Sequence, residues 1–117
     1  MPRRPFLKSL MTAAATGTMI ALCAPSFASG GVASEVRFNN GRFEPSQLVV
    51  PANAPFAVRV TNADKAAIEF ESFELHRERV VRPGETITVL MAPVAPGSYK
   101  FFDDFHREVA EGAIVAK

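Results

Sequence analysis

Cysteine is nearly absent: among 117 residues it occurs once, at Cys23. That residue lies inside a segment that reads as an export leader, so the mature chain is expected to have neither a disulfide nor a thiolate ligand. A basic surplus is missing too. Of the 13 Lys and Arg residues, Arg3, Arg4 and Lys8 belong to the leader, which leaves 10 against 12 acidic side chains, net −2. No basic patch survives, which argues against nucleic acid as the partner. A long apolar run is also lacking. Leu10 to Ala24 is too short and too rich in Ala, Thr and Gly for a committed membrane span. There is no sustained helical periodicity, no internal repeat and no low-complexity segment; Phe105–Glu111 has room for one or two helical turns at most.

The leader is specific. Arg3-Arg4-Pro5-Phe6-Leu7-Lys8 reads as a twin-arginine signal that lacks only the usual preceding Ser or Thr, and Pro25-Ser26-Phe27-Ala28 offers small residues at the −3 and −1 positions of a cleavage site. The expectation is a signal peptide over 1–28 and one domain over 29–117, placed in the periplasm. An uncleaved anchor is the alternative, and a lipoprotein through Cys23 is disfavoured by the bulky Leu22 before it. Export in the folded state is compatible with a cofactor loaded beforehand. The 89 residues that remain suffice for one modest core.

Pro and Gly punctuate the mature part into short runs with a period of two. Phe56, Val58 and Val60 alternate with Ala57, Arg59 and Thr61; Ile87, Val89 and Met91 alternate with Thr86, Thr88 and Leu90; Tyr99, Phe101 and Asp103 alternate with Lys100, Phe102 and Asp104. Further strands are predicted near Glu35–Asn39, Gln47–Val50, Ala67–Phe70, Arg77–Val81 and Gly112–Ala116, with Ser29–Ser34 as a flexible tail. Seven to eight short strands imply an all-β Greek-key β-sandwich.

Two clusters combine acids, aromatics and a histidine: Glu69-Phe70-Glu71-Ser72-Phe73-Glu74-Leu75-His76 and Asp103-Asp104-Phe105-His106-Arg107-Glu108. A strand puts i and i+2 on one face, so Glu69 and Glu71 point the same way. Asp103 shares its face with Tyr99 and Phe101, the core side. A carboxylate there must be paired or bound to metal to offset its desolvation. The plain alternative is that Glu71, Glu74, Asp104 and Glu108 are surface charges beside Arg77, Arg79, Arg82 and Arg107, where ion pairs contribute little. His76 reads as a solvent-facing strand residue and Met91 as packing.

The run Tyr99-Lys-Phe-Phe-Asp103-Asp104-Phe-His106-Arg-Glu-Val-Ala110-Glu-Gly112 resembles the copper loop of cupredoxins, Tyr-x-x-x-Cys-x-x-His-x-x-x-Met-x-Gly, with Asp103 at the Cys position and Ala110 at the Met position. Phe43 to Asn62 resembles the opening half of the same fold, and Glu69 then stands where the first His ligand would be. Glu69-Phe-Glu71-Ser, Arg77-Glu-Arg-Val-Val81, Pro96-Gly-Ser-Tyr99-Lys-Phe-Phe and Asp104-Phe-His106 are similar to cupredoxin-like proteins of bacterial iron uptake, the N-terminal domain of EfeO-type proteins and the periplasmic cupredoxin of Ftr-type transporters. The EfeO-type domains can carry cysteines near their sites, which the mature part of this chain lacks.

The resemblance implies a metal site drawn from Glu69, Asp103 and His106, completed by Glu71 or Asp104. Type 1 copper needs a thiolate between two imidazoles and is excluded. Oxygen donors with one imidazole suit iron, Cu(II) or Mn(II) and disfavour Cu(I). The expected role is a periplasmic iron- or copper-binding component of ferrous-iron uptake, working with a membrane iron permease and associated periplasmic proteins. Such a site could assist Fe(II) oxidation, or be shared across a homodimer. The alternatives are a metal-free docking module for a membrane transporter and an electron-transfer cupredoxin.

Overall fold

The computed structural model describes residues 33–106 and 110–117. Nine strands follow one another: β1 (Ala33–Asn39), β2 (Arg42–Glu44), β3 (Gln47–Val50), β4 (Phe56–Asn62), β5 (Ile68–Ser72), β6 (Arg77–Val81), β7 (Thr86–Met91), β8 (Gly97–Asp103) and β9 (Glu111–Ala116), with one 3-10 turn at Asp104–His106 after β8. They form a four-stranded sheet in the order β2-β1-β4-β7 and a five-stranded sheet in the order β3-β9-β8-β5-β6. The fold is the expected all-β sandwich, with nine strands where seven to eight were predicted.

The additional strand is β2. Asn39 pairs with Arg42 across a two-residue loop, Asn40-Gly41, in which both residues have positive φ (53° and 72°). Asn-Gly is the favoured sequence for such a loop, because neither residue is strongly penalised there. Asp64 fixes it from outside, accepting the backbone N–H groups of Asn40 (2.7 Å) and Gly41 (2.9 Å). At the start of β1, Ala33 and Ser34 already pair with Ala57 and Val58 of β4, so these two residues of the predicted flexible tail belong to a sheet. His76 sits in the turn before β6 with φ of 54°, exposed, rather than within a strand.

Alternation places the core. Val36 and Phe38 of β1, Val58 and Val60 of β4, and Val89 and Met91 of β7 face Leu48, Val50, Phe70, Val81, Phe101 and Ile114 of the second sheet. At its centre the rings of Phe43 and Phe101 lie edge to face with centroids 5.0 Å apart, and Phe70 lies 5.2 Å from Phe101. Phe101 covers Gly112 so closely that a Cβ there would meet Phe101 Cε2 at 2.6 Å and the Ser46 carbonyl at 2.8 Å. β5 is central to the site: it lies between β6 and β8, and all five of its residues are buried.

Candidate metal centre

β5 reads Ile68-Glu69-Phe70-Glu71-Ser72. Ile68 and Phe70 enter the core, so Glu69 and Glu71 project from the opposite face of the sheet. The register then selects their neighbours. Phe70 pairs with Asp103 and Glu71 with Phe102 of β8, while on the other side Glu71 pairs with Glu78 and Glu69 with Val80 of β6. Asp104, next after Asp103, is thereby brought beside Glu69. One carboxylate oxygen from each of Glu69, Glu71 and Asp104 lies within 4.8 Å of the others. A cation bonded at about 2.0–2.5 Å requires oxygens within about 4–5 Å of one another, so the spacing fits a hard divalent ion.

The electrostatics are those of crowded acids in a shielded place. Glu69 and Glu71 are each only 9% exposed. Burial, then a hydrogen bond with Glu78 and the charges of Glu78, Asp104 and Glu71, push the Glu69 carboxyl up from 4.5 to about 7. All of these influences favour the protonated acid. Glu78 did not figure among the predicted site residues, though it could have been found. It occupies β6, and a β5–β6 hairpin that pairs Ser72 with Arg77 necessarily puts Glu78 opposite Glu71. On the same face Phe102 packs its ring edge to face against Phe73, centroids 5.0 Å apart.

Asp103 and His106 form a separate pair. Asp103 is fully buried on the core side of the sheet, as its alternation with Phe101 predicted. Its Oδ1 accepts the backbone N–H groups of Glu69 (2.9 Å) and Phe105 (3.1 Å), and its Oδ2 lies 2.7 Å from His106 Nδ1. The 3-10 turn at Asp104–His106 is what folds the imidazole back onto the carboxylate three residues earlier. His106 also lines a cleft of about 240 Å³ with Phe38, Gly41, Asp64, Ala66 and Ile68. The five predicted ligands are thus sorted into an acidic trio on the outer face and an Asp–His pair on the inner one.

The remaining candidates are accounted for individually. Glu74 accepts the backbone N–H of Lys100 at 3.1 Å. Arg77 donates to the backbone carbonyls of Leu90 (2.9 Å) and His76 (3.0 Å), so its guanidinium links β6 to β7. Arg107 and Glu108 lie outside the described residues, as do Cys23 and the rest of the predicted leader.

The loop that resembles a copper loop can be tested against copper's needs. Asp103, which the resemblance sets at the thiolate position, has its oxygens engaged as above, and Ala110, 2% exposed, has only a methyl group where the motif carries Met, while its carbonyl accepts the Asp103 N–H at 3.0 Å. No described residue offers a thiol. The residues present do not fit a type 1 copper centre, whereas the trio fits a hard cation.

Comparison with known proteins agrees with the architecture. An uncharacterized protein of Rickettsia prowazekii (strain Madrid E) is 38% identical over 81 residues, 69% of this chain; the chain spans 65% of that relative's length. Among solved structures, the metal binding domain of the Cu(I) exporting P-type ATPase CopA of Streptococcus pneumoniae D39 superimposes with a TM-score of 0.65 at 15% identity, over 76% of this chain and 88% of that one. Auracyanin A, a blue copper protein from Chloroflexus aurantiacus, gives 0.60 at 16% identity over 75% and 100%. A purple cupredoxin from Nitrosopumilus maritimus gives 0.58 at 17% over 72% and 99%. At these identities the likeness concerns the fold. Residues 12–116 match the family described as the cupredoxin-like domain, and the chain belongs to that family.

Proposed function

We propose that this chain is a periplasmic metal-binding cupredoxin-like protein that holds its ion on the oxygens of Glu69, Glu71 and Asp104. The observation that carries this is the convergence of the three carboxylates within 4.8 Å at a shielded position. Mutual repulsion there is relieved by a proton or by a cation, and a cation relieves more of it. Three hard donors select Cu(II), iron or Mn(II) and disfavour Cu(I). They also stabilise Fe(III) relative to Fe(II), which suits a component that takes up ferrous iron and assists its oxidation before transfer to a membrane permease.

Titration of metal-free protein with Cu(II) and, anaerobically, with Fe(II) tests the site. Saturable one-to-one binding is expected for the wild type, and Glu69→Gln with Glu71→Gln together should weaken it by at least about a hundredfold, since even outer partners of metal sites cost 10–100-fold. Equal affinity in the double variant would remove the trio from consideration. For the pathway, loss of the protein should slow ferrous-iron uptake in its host under iron limitation; an unaltered uptake rate would place the ion in another process. A metal-free docking role is the second reading, favoured by the exposed Phe73 (58%) beside the trio. It predicts that Phe73→Ala impairs function while the acid variants do not.

A further inference from the structure

Asn40-Gly41 is the one place in the chain where an asparagine precedes a glycine; Asn39, Asn53 and Asn62 are followed by Asn40, Ala54 and Ala63. Such a pair carries a reaction of its own. The glycine nitrogen, once it has lost its proton, attacks the carbonyl carbon of the asparagine side chain. A C–N bond closes a five-membered succinimide and ammonia leaves. Water then opens the ring at either carbonyl, so asparagine and water become aspartate or isoaspartate and ammonia. Glycine favours the attack because no Cβ crowds the approach and its backbone turns freely. Asn40 is exposed, so water and base reach it.

The fold opposes this chemistry at two points. Asn40 has φ of 53°. In that left-handed conformation the following nitrogen lies away from Cβ, and ring closure needs a rotation about the Cα–C bond. Asp64 resists the rotation by holding both N–H groups of the loop, Asn40 on Oδ1 at 2.7 Å and Gly41 on Oδ2 at 2.9 Å. The second of these bonds falls on the nitrogen that would attack. A carboxylate in contact with it stabilises the N–H and opposes the nitrogen anion, since two adjacent negative charges repel. Asp64 is itself held in place: its N–H is donated to Oδ1 of the buried Asn62, which is anchored on the carbonyls of Ala66 and Val81.

We propose that Asn40 is a modification site of this chain, open to spontaneous deamidation, and that the Asp64 carboxylate keeps it unmodified in the folded protein. Either product puts a new negative charge into the loop that Asp64 holds, and isoaspartate also lengthens the main chain of a two-residue loop. β2 is joined to β1 by only three residue pairs and carries Phe43, whose ring lies 5.0 Å from that of Phe101. Conversion at Asn40 therefore loosens β2 at the end of the sandwich where Gly41 and Asp64 border the cleft shared with His106.

The full chain is incubated in mildly alkaline buffer, and conversion at each asparagine is followed by peptide mass spectrometry with an isoaspartate assay. In the folded wild type Asn40 should convert slowly. Unfolding in urea, Asp64→Ala and Asp64→Asn should each speed conversion at Asn40 by about tenfold or more, the scale of a lost hydrogen bond to a charged group. Asp64→Asn keeps the shape and removes the charge. For both variants, continued protection of the β1–β4 amides from hydrogen exchange shows that global unfolding is not the route. Exchange of the Gly41 N–H in the wild type reads the same deprotonation without any variant, so the proposal stays decidable if neither variant folds: strong protection is expected. Equal rates in folded and unfolded wild type, unchanged rates in folded Asp64 variants, a Gly41 N–H that exchanges like a free amide, or conversion led by another asparagine would each overturn it.

Discussion

Glu69 concentrates the chemistry of the outer face in one side chain. Its carboxyl titrates near 7 in the fold against 4.5 ordinarily, because burial and then Glu78, Asp104 and Glu71 oppose its ionisation. Between those two values the folded chain binds a proton that the unfolded chain has released. This contribution to stability is therefore complete below pH 4.5, declines as the pH rises through about 7, and stays low above it. Glu69→Gln mimics the protonated acid at every pH. In chelator, the melting temperatures of wild type and Glu69→Gln should coincide near pH 4 and separate in favour of the variant by pH 8; a difference independent of pH would show that folding does not shift the titration of Glu69. Because metal competes with the same proton, affinity at the trio should climb as the pH approaches 7 and then level off. Gly112 makes a purely steric demand. A Cβ would crowd Phe101 Cε2 at 2.6 Å and the Ser46 carbonyl at 2.8 Å, and Phe101 is wedged against Phe43 and Phe70. Gly112→Ala should cost about 1–3 kcal/mol in denaturant unfolding; a variant as stable as the wild type would mean that the ring has room to retreat.

Individual strands show how far the site was legible before the fold was known. Alternation alone placed Phe101 and Asp103 inward and Glu69 and Glu71 on one face, because period two follows from strand geometry whatever the partner strand. The acidic trio, by contrast, exists only through the β5–β8 register that opposes Phe70 to Asp103, and pairing between strands distant in sequence leaves no local signal. Asp103 shows a different limit. Its burial was legible, but a buried carboxylate is satisfied equally by metal or by hydrogen bonds, and only the positions of the Glu69 and Phe105 amides reveal which groups occupy its oxygens. β2 was overlooked because three residues are too few for a periodicity, although Asn40-Gly41 announced its hairpin. The connection from β4 to β5, which delivers Glu69, is organised by Asn62. This fully buried side chain donates to the carbonyls of Ala66 (2.8 Å) and Val81 (3.0 Å) and accepts the Asp64 N–H (3.0 Å). Asn62→Ala should lower stability by about 1–3 kcal/mol and loosen metal binding at Glu69 as well. Unfolding curves paired with a metal titration check both, and full retention of affinity would show that β5 holds its place without the connection.

For the whole molecule, metal binding and folding are linked. The trio draws on β5 and on the residue that follows β8, two segments far apart in the chain that meet only within the five-stranded sheet. An unfolded chain keeps Glu69 and Glu71 near each other but loses Asp104 and the shielding, so its affinity for the ion is much lower. Metal must then stabilise the fold by mass action, by about 2.7 kcal/mol when free metal is a hundredfold above Kd. Domains of this size are stable by only about 5–15 kcal/mol, so the shift is a large fraction of the total. The melting temperature should therefore rise steadily with the concentration of Cu(II) or Mn(II), return to its starting value on chelation, and cease to respond in Glu69→Gln/Glu71→Gln. Asp103→Asn disturbs the hydrogen bonds behind β5 but leaves the three carboxylates in place, so its melting temperature should start lower and still rise with Mn(II). A wild-type melting temperature indifferent to every hard cation would leave the sandwich as a docking surface, and the crowding of Glu69, Glu71 and Asp104 would then have to be explained by a cationic group on a protein partner.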